Sequence, residues 1–156
     1  MIRAAGPGDV RFLRDMLRHA YYWRMSESGD LPVARYVLNW GRPGDEGLVA
    51  LDDANAVGAA WYRLFSREEA GFGFVDEQTP ELTIAVVPSR RGKGFGHELM
   101  TGLLERARRA GYDALSLSVA KTSPAVSLYE RYGFRTVGEG DDALTMVAKL
   151  GSPDGL

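Results

Sequence analysis

The chain contains no cysteine, which excludes thiol nucleophiles, cysteine-ligated zinc and disulfide staples, and leaves the redox compartment open. It also lacks any long apolar run: the N-terminus Met1-Ile2-Arg3-Ala4-Ala5-Gly6-Pro7-Gly8-Asp9 is mixed, and no later segment approaches membrane-spanning length. A membrane partner is therefore not expected, and a soluble, cytoplasmic protein is the default expectation. A strong charge of one sign is missing too. The net charge of −2 argues against a nucleic-acid surface, although arginine clusters around Arg90 to Lys93 and around Arg106 to Arg109. Repeats, low-complexity tracts and linker-like runs are absent. With 156 residues, 45% of them hydrophobic, the chain fits one domain over residues 1–150 and a frayed tail over 151–156.

Along that domain a short strand at Ile2 to Ala4 breaks at Gly6-Pro7-Gly8, and Asp9 suits the cap of a helix with Val10, Leu13 and Leu17 at helical spacing, fading by Met25. A second helical piece is expected between Leu31 and Trp40. Residues Gly47 to Leu51 and Val57 to Leu64 read as an antiparallel hairpin around Asp52-Asp53-Ala54-Asn55, and 65–79 carries no firm pattern. Leu82 to Val87 reads as a buried strand, and Met100, Leu103, Leu104 and Ala107 put one apolar face on the next helix, with Gly111 at its stop. Ala114 to Val119 reads as a strand parallel to Leu82 to Val87, because a helix joins them. Ser123 and Pro124 suit the start of a short helix and Gly133 its left-handed end, followed by a hairpin of Arg135 to Glu139 and Ala143 to Lys149. The result is a mixed α/β fold: a twisted sheet of six to seven strands with helices on both faces.

Between the strand at 82–87 and its helix lies Pro88-Ser89-Arg90-Arg91-Gly92-Lys93-Gly94-Phe95-Gly96-His97. Glycines let the backbone approach a ligand, the helix start offers unpaired N–H groups, and the cations add positive charge, so the loop is built for a diphosphate. A P-loop would need glycine where Val87 stands and Ser or Thr where Gly94 stands; the dinucleotide fingerprint would need glycine at His97 or at Leu99. Neither fits.

Arg91-x-x-Gly94-x-Gly96 after Val86-Val87-Pro88 resembles the coenzyme A loop of the GNAT superfamily of N-acetyltransferases. Ser123-Pro124-Ala125-Val126-Ser127-Leu128-Tyr129-Glu130-Arg131-Tyr132-Gly133-Phe134 resembles that superfamily's second hallmark, a short helix carrying Ala-x-x-Leu-Tyr and closing on Gly-Phe. The resemblance covers about residues 81 to 134. It implies the acyl-CoA N-acyltransferase fold, in which the strands equivalent to Glu81–Val87 and Ala114–Val119 splay and acetyl coenzyme A lies in the gap. It further implies that main-chain groups of Ile84, Ala85 and Val86 pair with the acetyl and pantetheine groups. Arg91, Gly92, Lys93, Gly94, Gly96 and His97 would then hold the diphosphate. Ser123 departs from the asparagine common in relatives, and His97 fits either a phosphate contact or an exposed position. His19 reads as structural or solvent-facing.

Acetyl transfer needs a neutral amine, an oxyanion donor and an acid for the departing thiolate. Because a lysine-like amine has a pKa of about 10.4, only on the order of one molecule in two thousand is neutral at pH 7, so a base helps. The resemblance puts that base, or a water-positioning carboxylate, at Glu81; the alternative is a solvated strand-end glutamate. It puts the acid at Tyr129, against the alternative of a tyrosine that only packs on pantetheine. Leu128, Ala125 and Tyr132 are expected to pack inward while Tyr129 faces the gap. Tyr22, Trp23 and Trp61 are candidates for an aromatic acceptor pocket, although most aromatics in this part of the chain read as core; Glu27, Asp30, Asp76 and Glu77 are possible counter-charges.

The expected activity is direct attack of a primary amine, on a small molecule, upon acetyl-CoA in a ternary complex, with no metal. Transfer to a protein or peptide and a non-catalytic acyl-CoA sensor are the competing readings, and a homodimer is left open.

Overall fold

The computed structural model describes residues 1–28 and 34–151, and for 22–28 the backbone alone. Seven strands make one mixed sheet in the order β1-β2-β3-β4-β5-β7-β6, matching the mixed α/β expectation at its upper strand count. Two compact units divide the chain, Met1–Arg63 with Thr83–Leu103 and Leu64–Leu82 with Leu104–Leu156.

The first unit holds β1 (Ile2–Ala4), α1 (Val10–Ser28), β2 (Glu46–Asp52), β3 (Asn55–Arg63), the end of β4 (Glu81–Val86) and the start of α2 (Phe95–Arg109). The β2–β3 hairpin forms where expected, with Asp53 in the left-handed region at φ 57°. Strand alternation gives the two faces different jobs. On the Leu48 face α2 comes so close that a Cβ at Gly102 would lie 2.8 Å from Leu48 Cδ1. On the opposite face Trp61, fully buried, donates its indole N–H to the Tyr36 carbonyl at 3.0 Å. Leu13, Met16 and Leu17 of α1 are buried and α1 packs on β3.

Two local expectations change. Asp9 does not cap α1: the turn Pro7–Asp9 runs directly into that helix, so the Asp9 carboxylate folds back to accept from Gly6 N–H at 2.7 Å and from both Arg3 guanidinium nitrogens at 2.8 Å. The helix also extends beyond Met25, with a break in its backbone at Tyr21 (φ −125°, ψ 20°). Of the second helical piece, 31–33 lie outside the described residues, and Ala34 to Trp40 make turn hydrogen bonds.

The second unit holds the start of β4, β5 (Ala114–Ala120), α3 (Ala125–Arg131), β6 (Phe134–Glu139) and β7 (Ala143–Lys149). The parallel β4–β5 ladder consists of the register pair Glu81↔Ser116, with Ser116 N–H donating to the Pro80 carbonyl at 2.9 Å. By contrast β5 pairs with β7 along its whole length. Gly111 and Gly133 both take the left-handed conformation at φ 91° that ends their helices, as their positions in the sequence suggest.

Candidate active site

In the first unit the chain leaves β4 at Val86, makes a tight turn over Pro88–Arg90, and enters α2 at Phe95. Gly92 at φ 78° and Gly94 at φ 90° occupy backbone conformations that a side chain would strain, and the space beside each is open. Arg91 Nε donates to the Val86 carbonyl at 3.1 Å, which leaves its terminal guanidinium nitrogens on an exposed loop. Lys93 and His97 are exposed as well. Arg90 turns away: its Nε bonds Asp52 at 2.7 Å, bracing the loop against the β2–β3 turn. The helix ladder starts with Glu98 N–H to the Gly94 carbonyl at 3.1 Å, so the N–H groups of Phe95 and Gly96 have no intrahelical acceptor. An open, positive, glycine-hinged turn leading into a helix start is chemically suited to a diphosphate.

In the second unit Glu81 is 1% exposed, not the solvated strand-end residue that was the alternative. Its Oε2 accepts from Gly73 N–H at 3.1 Å. A Cβ at position 73 would fall 2.6 Å from the Leu117 carbonyl carbon and 2.8 Å from Ser118 N, so only glycine lets this backbone lie against β5 and reach the carboxylate. The hydroxyls of Ser116 and Ser118 are buried with no hydrogen-bond partner among the described residues. Tyr129 is the buried residue of α3, stacking edge-on to Phe134 at 6.0 Å between ring centroids. Burial pushes its hydroxyl pKa up to about 12. Ala125, Leu128 and Tyr132, expected to pack inward, are half-buried beside Tyr129. Ser123 Oγ accepts from Ala125 N–H at 3.1 Å and so spends its hydroxyl on the helix start.

Residues 10–134 match the model of the acetyltransferase (GNAT) family. The chain belongs to the GNAT family. Among solved structures it is similar to the ribosomal-protein-alanine N-acetyltransferase of Brucella melitensis, with a TM-score of 0.72 and 25% identity over 96% of this chain and 99% of that one. It shares its fold with yncA of Salmonella typhimurium, solved with its cofactor acetyl-CoA, at a TM-score of 0.71 and 23% identity over 100% of this chain and 98% of that one. A mycothiol acetyltransferase of Brachybacterium faecium is 37% identical over 92 residues, 58% of this chain and 26% of that protein. The chain thus aligns with about a quarter of that relative's length.

For a GNAT chain the acceptor-side candidates fall unevenly. The side chains of Tyr22, Trp23 and Glu27, and all of Asp30, lie outside the described residues. Trp61 is core, as are Tyr21 and Tyr36, whose rings sit 5.1 Å apart. Asp76 and Glu77 accept from the backbone N–H groups of Gln78 and Arg67 at 2.9 Å each. Ile84 and Val86 are half-buried on β4 and Ala85 is buried. Gly73, Ser116 and Ser118 did not emerge from the sequence. The available signal was the alternation Ala114-Leu115-Ser116-Leu117-Ser118-Val119, which places small hydroxyls along one side of a buried strand.

Proposed function

We infer that this GNAT chain transfers the acetyl group of acetyl-CoA to a primary amine of a small molecule. What supports the first half is the turn at Arg91 to His97: two left-handed glycines with open space beside them, leading into a helix whose first N–H groups, at Phe95 and Gly96, have no intrahelical acceptor. In this reading Arg91, Gly92, Lys93, Gly94, Gly96 and His97 hold the diphosphate, and the main chain of Ile84, Ala85 and Val86 holds the acetyl and pantetheine groups. The amine nitrogen attacks the thioester carbon, the amide C–N bond forms, and the C–S bond breaks. The proton leaving nitrogen passes to Glu81, directly or through water. Tyr129 stays protonated because its pKa is pushed up to about 12. Complete proton transfer from such a hydroxyl to a thiolate with a pKa near 8.5 would run uphill by about 5 kcal/mol. Tyr129 therefore acts as a hydrogen-bond donor that stabilises the leaving sulfur.

The small-molecule half rests on the name of the Brachybacterium relative, a mycothiol acetyltransferase. A second reading, transfer to a protein N-terminus, is favoured by the name of the Brucella neighbour. Calorimetric titration with acetyl-CoA, then thiol release measured with a panel of small amines beside alanine-terminated peptides, separates them. Turnover with small amines supports the proposal, and turnover confined to peptides replaces it with the second reading. Binding without any turnover leaves a sensor, and absence of binding overturns the role of the loop.

A further inference from the structure

Arg90 opens the glycine turn of the first unit without lending its charge to it. Its Nε donates to Asp52 Oδ2 at 2.7 Å, and the bond links positions 38 residues apart in the chain. Nη1 donates to the neighbouring Ser89 Oγ at 3.3 Å. Asp52 is a fixed post: it ends β2, pairs in register with Asn55 of β3, and precedes the left-handed Asp53 of the hairpin turn. The far side of the bond is the opposite. Gly92 and Gly94 have no side chain and stand in open space, and glycine loses more conformational freedom on being ordered than any other residue. The main chain ties the start of the turn to the same hairpin, through Val87 N–H and the Val57 carbonyl at 2.8 Å. The Arg90 side chain adds a second tie to that hairpin, two residues before Gly92.

Folding stability does not account for this pair. Its side chains are 35% and 38% exposed, and a solvated ion pair adds little to stability. A short charge-assisted bond between a hairpin end and a glycine turn fixes position instead. We propose that Asp52 and Arg90 are a positioning pair that pre-orders the turn for the diphosphate of coenzyme A. The inference rests on the reading of that turn as the diphosphate site. Pre-ordering reduces the entropy lost on binding, so affinity rises without any contact between the pair and the ligand. The pair also divides the charges of the loop: Arg91 and Lys93 are left for the anion, and Arg90 is held away from it.

The sign of one substitution separates positioning from simple electrostatics. Asp52→Asn removes a negative charge near the turn and releases Arg90. If charge alone governed binding, coenzyme A would bind the variant more tightly; if position governs it, coenzyme A binds more weakly. Calorimetric titration with coenzyme A in high salt, which screens exposed charges, should give a Kd raised about fivefold in Asp52→Asn. Arg90→Gln, which breaks the same bond from the loop side, should lose as much, and the double variant no more than either single one. KM for acetyl-CoA should rise with kcat held, and thermal midpoints should stay at the wild-type value. In the ligand-free protein, amide hydrogen exchange over residues 89–94 should be faster in Asp52→Asn than in wild type. Tighter or equal binding by Asp52→Asn overturns the proposal, as do losses that multiply in the double variant, or exchange over 89–94 no faster than in wild type. A wild type that binds coenzyme A as well as its variants do sinks the positioning role alone, whereas a wild type that binds none sinks the diphosphate reading and the positioning role together.

Discussion

Two buried polar clusters in this chain are built in opposite ways. In the first unit Arg63, 1% exposed, uses four of its five N–H donors: Nε and Nη2 bond Asp45 at 2.9 and 2.8 Å, and Nη1 bonds the carbonyls of Arg35 and Leu38 at 2.8 and 2.7 Å. Asp45 in turn accepts from the N–H groups of Gly41 and Arg42 at 2.9 Å each. In the second unit the hydroxyls of Ser116 and Ser118 are buried with no partner among the described residues. The heavily bonded first cluster ties the irregular segment 34–45 to β3. A cluster with capacity to spare is destabilising by about 1–3 kcal/mol per group, and such a cost is typical of places kept for chemistry.

The largest effect should come from breaking the satisfied cluster. Arg63→Met leaves the Asp45 charge buried and is expected to lower stability by about 3–5 kcal/mol in urea denaturation, with part of the loss regained in Arg63→Met/Asp45→Leu. If Arg63→Met is no less stable than wild type, the cluster is not what holds the segment.

Next is Tyr129, which separates stability from chemistry within the second unit. Its folded pKa lies above the unfolded value of about 10, so the unfolded chain loses this proton first. Stability is full below pH 10 and falls as pH rises toward the folded value of about 12, by about 2–3 kcal/mol. Tyr129→Phe should remove that alkaline step while lowering kcat by about 10- to 100-fold, the worth of one hydrogen bond to a charged group. An unchanged kcat would reduce Tyr129 to packing.

The smallest effect is expected where a polar pair is partly solvated. The hydrogen bond from Arg3 holds the Asp9 carboxyl below the usual range, so its contribution is present above the unfolded carboxylate pKa and is lost as pH falls through the lower folded value. With the Arg3 side chain 45% exposed, Asp9→Asn should cost under about 1 kcal/mol at neutral pH and flatten the acid limb of the stability profile. A loss as large as that of Arg63→Met would erase the contrast between solvated and buried pairs.

These clusters also mark where sequence reading works and where it stops. The β2–β3 hairpin, α2, β5, α3 and the closing β6–β7 hairpin all lie close to their expected places, because periodicity and glycine stops are local signals. The loop glycines at 92 and 94 were legible for the same reason. Asp9 was misread as the cap of α1 because a short turn absorbs the positions before the helix, a competition that letters do not rank. Arg63 and Gly73 escaped notice altogether. Their partners, Asp45 and Leu117, are distant in the chain, and nothing beside either residue announces them.

Gly73 lies in the stretch 65–79, to which no pattern could be given. It is not held as glycine by a left-handed φ; the backbone of β5 leaves no room for a Cβ. One position is thus pinned while its neighbours are free of that restriction, and this gives the segment an evolutionary grammar. Composition on either side can drift, so long as the pivot stays fixed. A library randomised over 66–78 and selected for activity should return glycine at 73 from otherwise unrelated solutions, as a single invariant letter in a variable word.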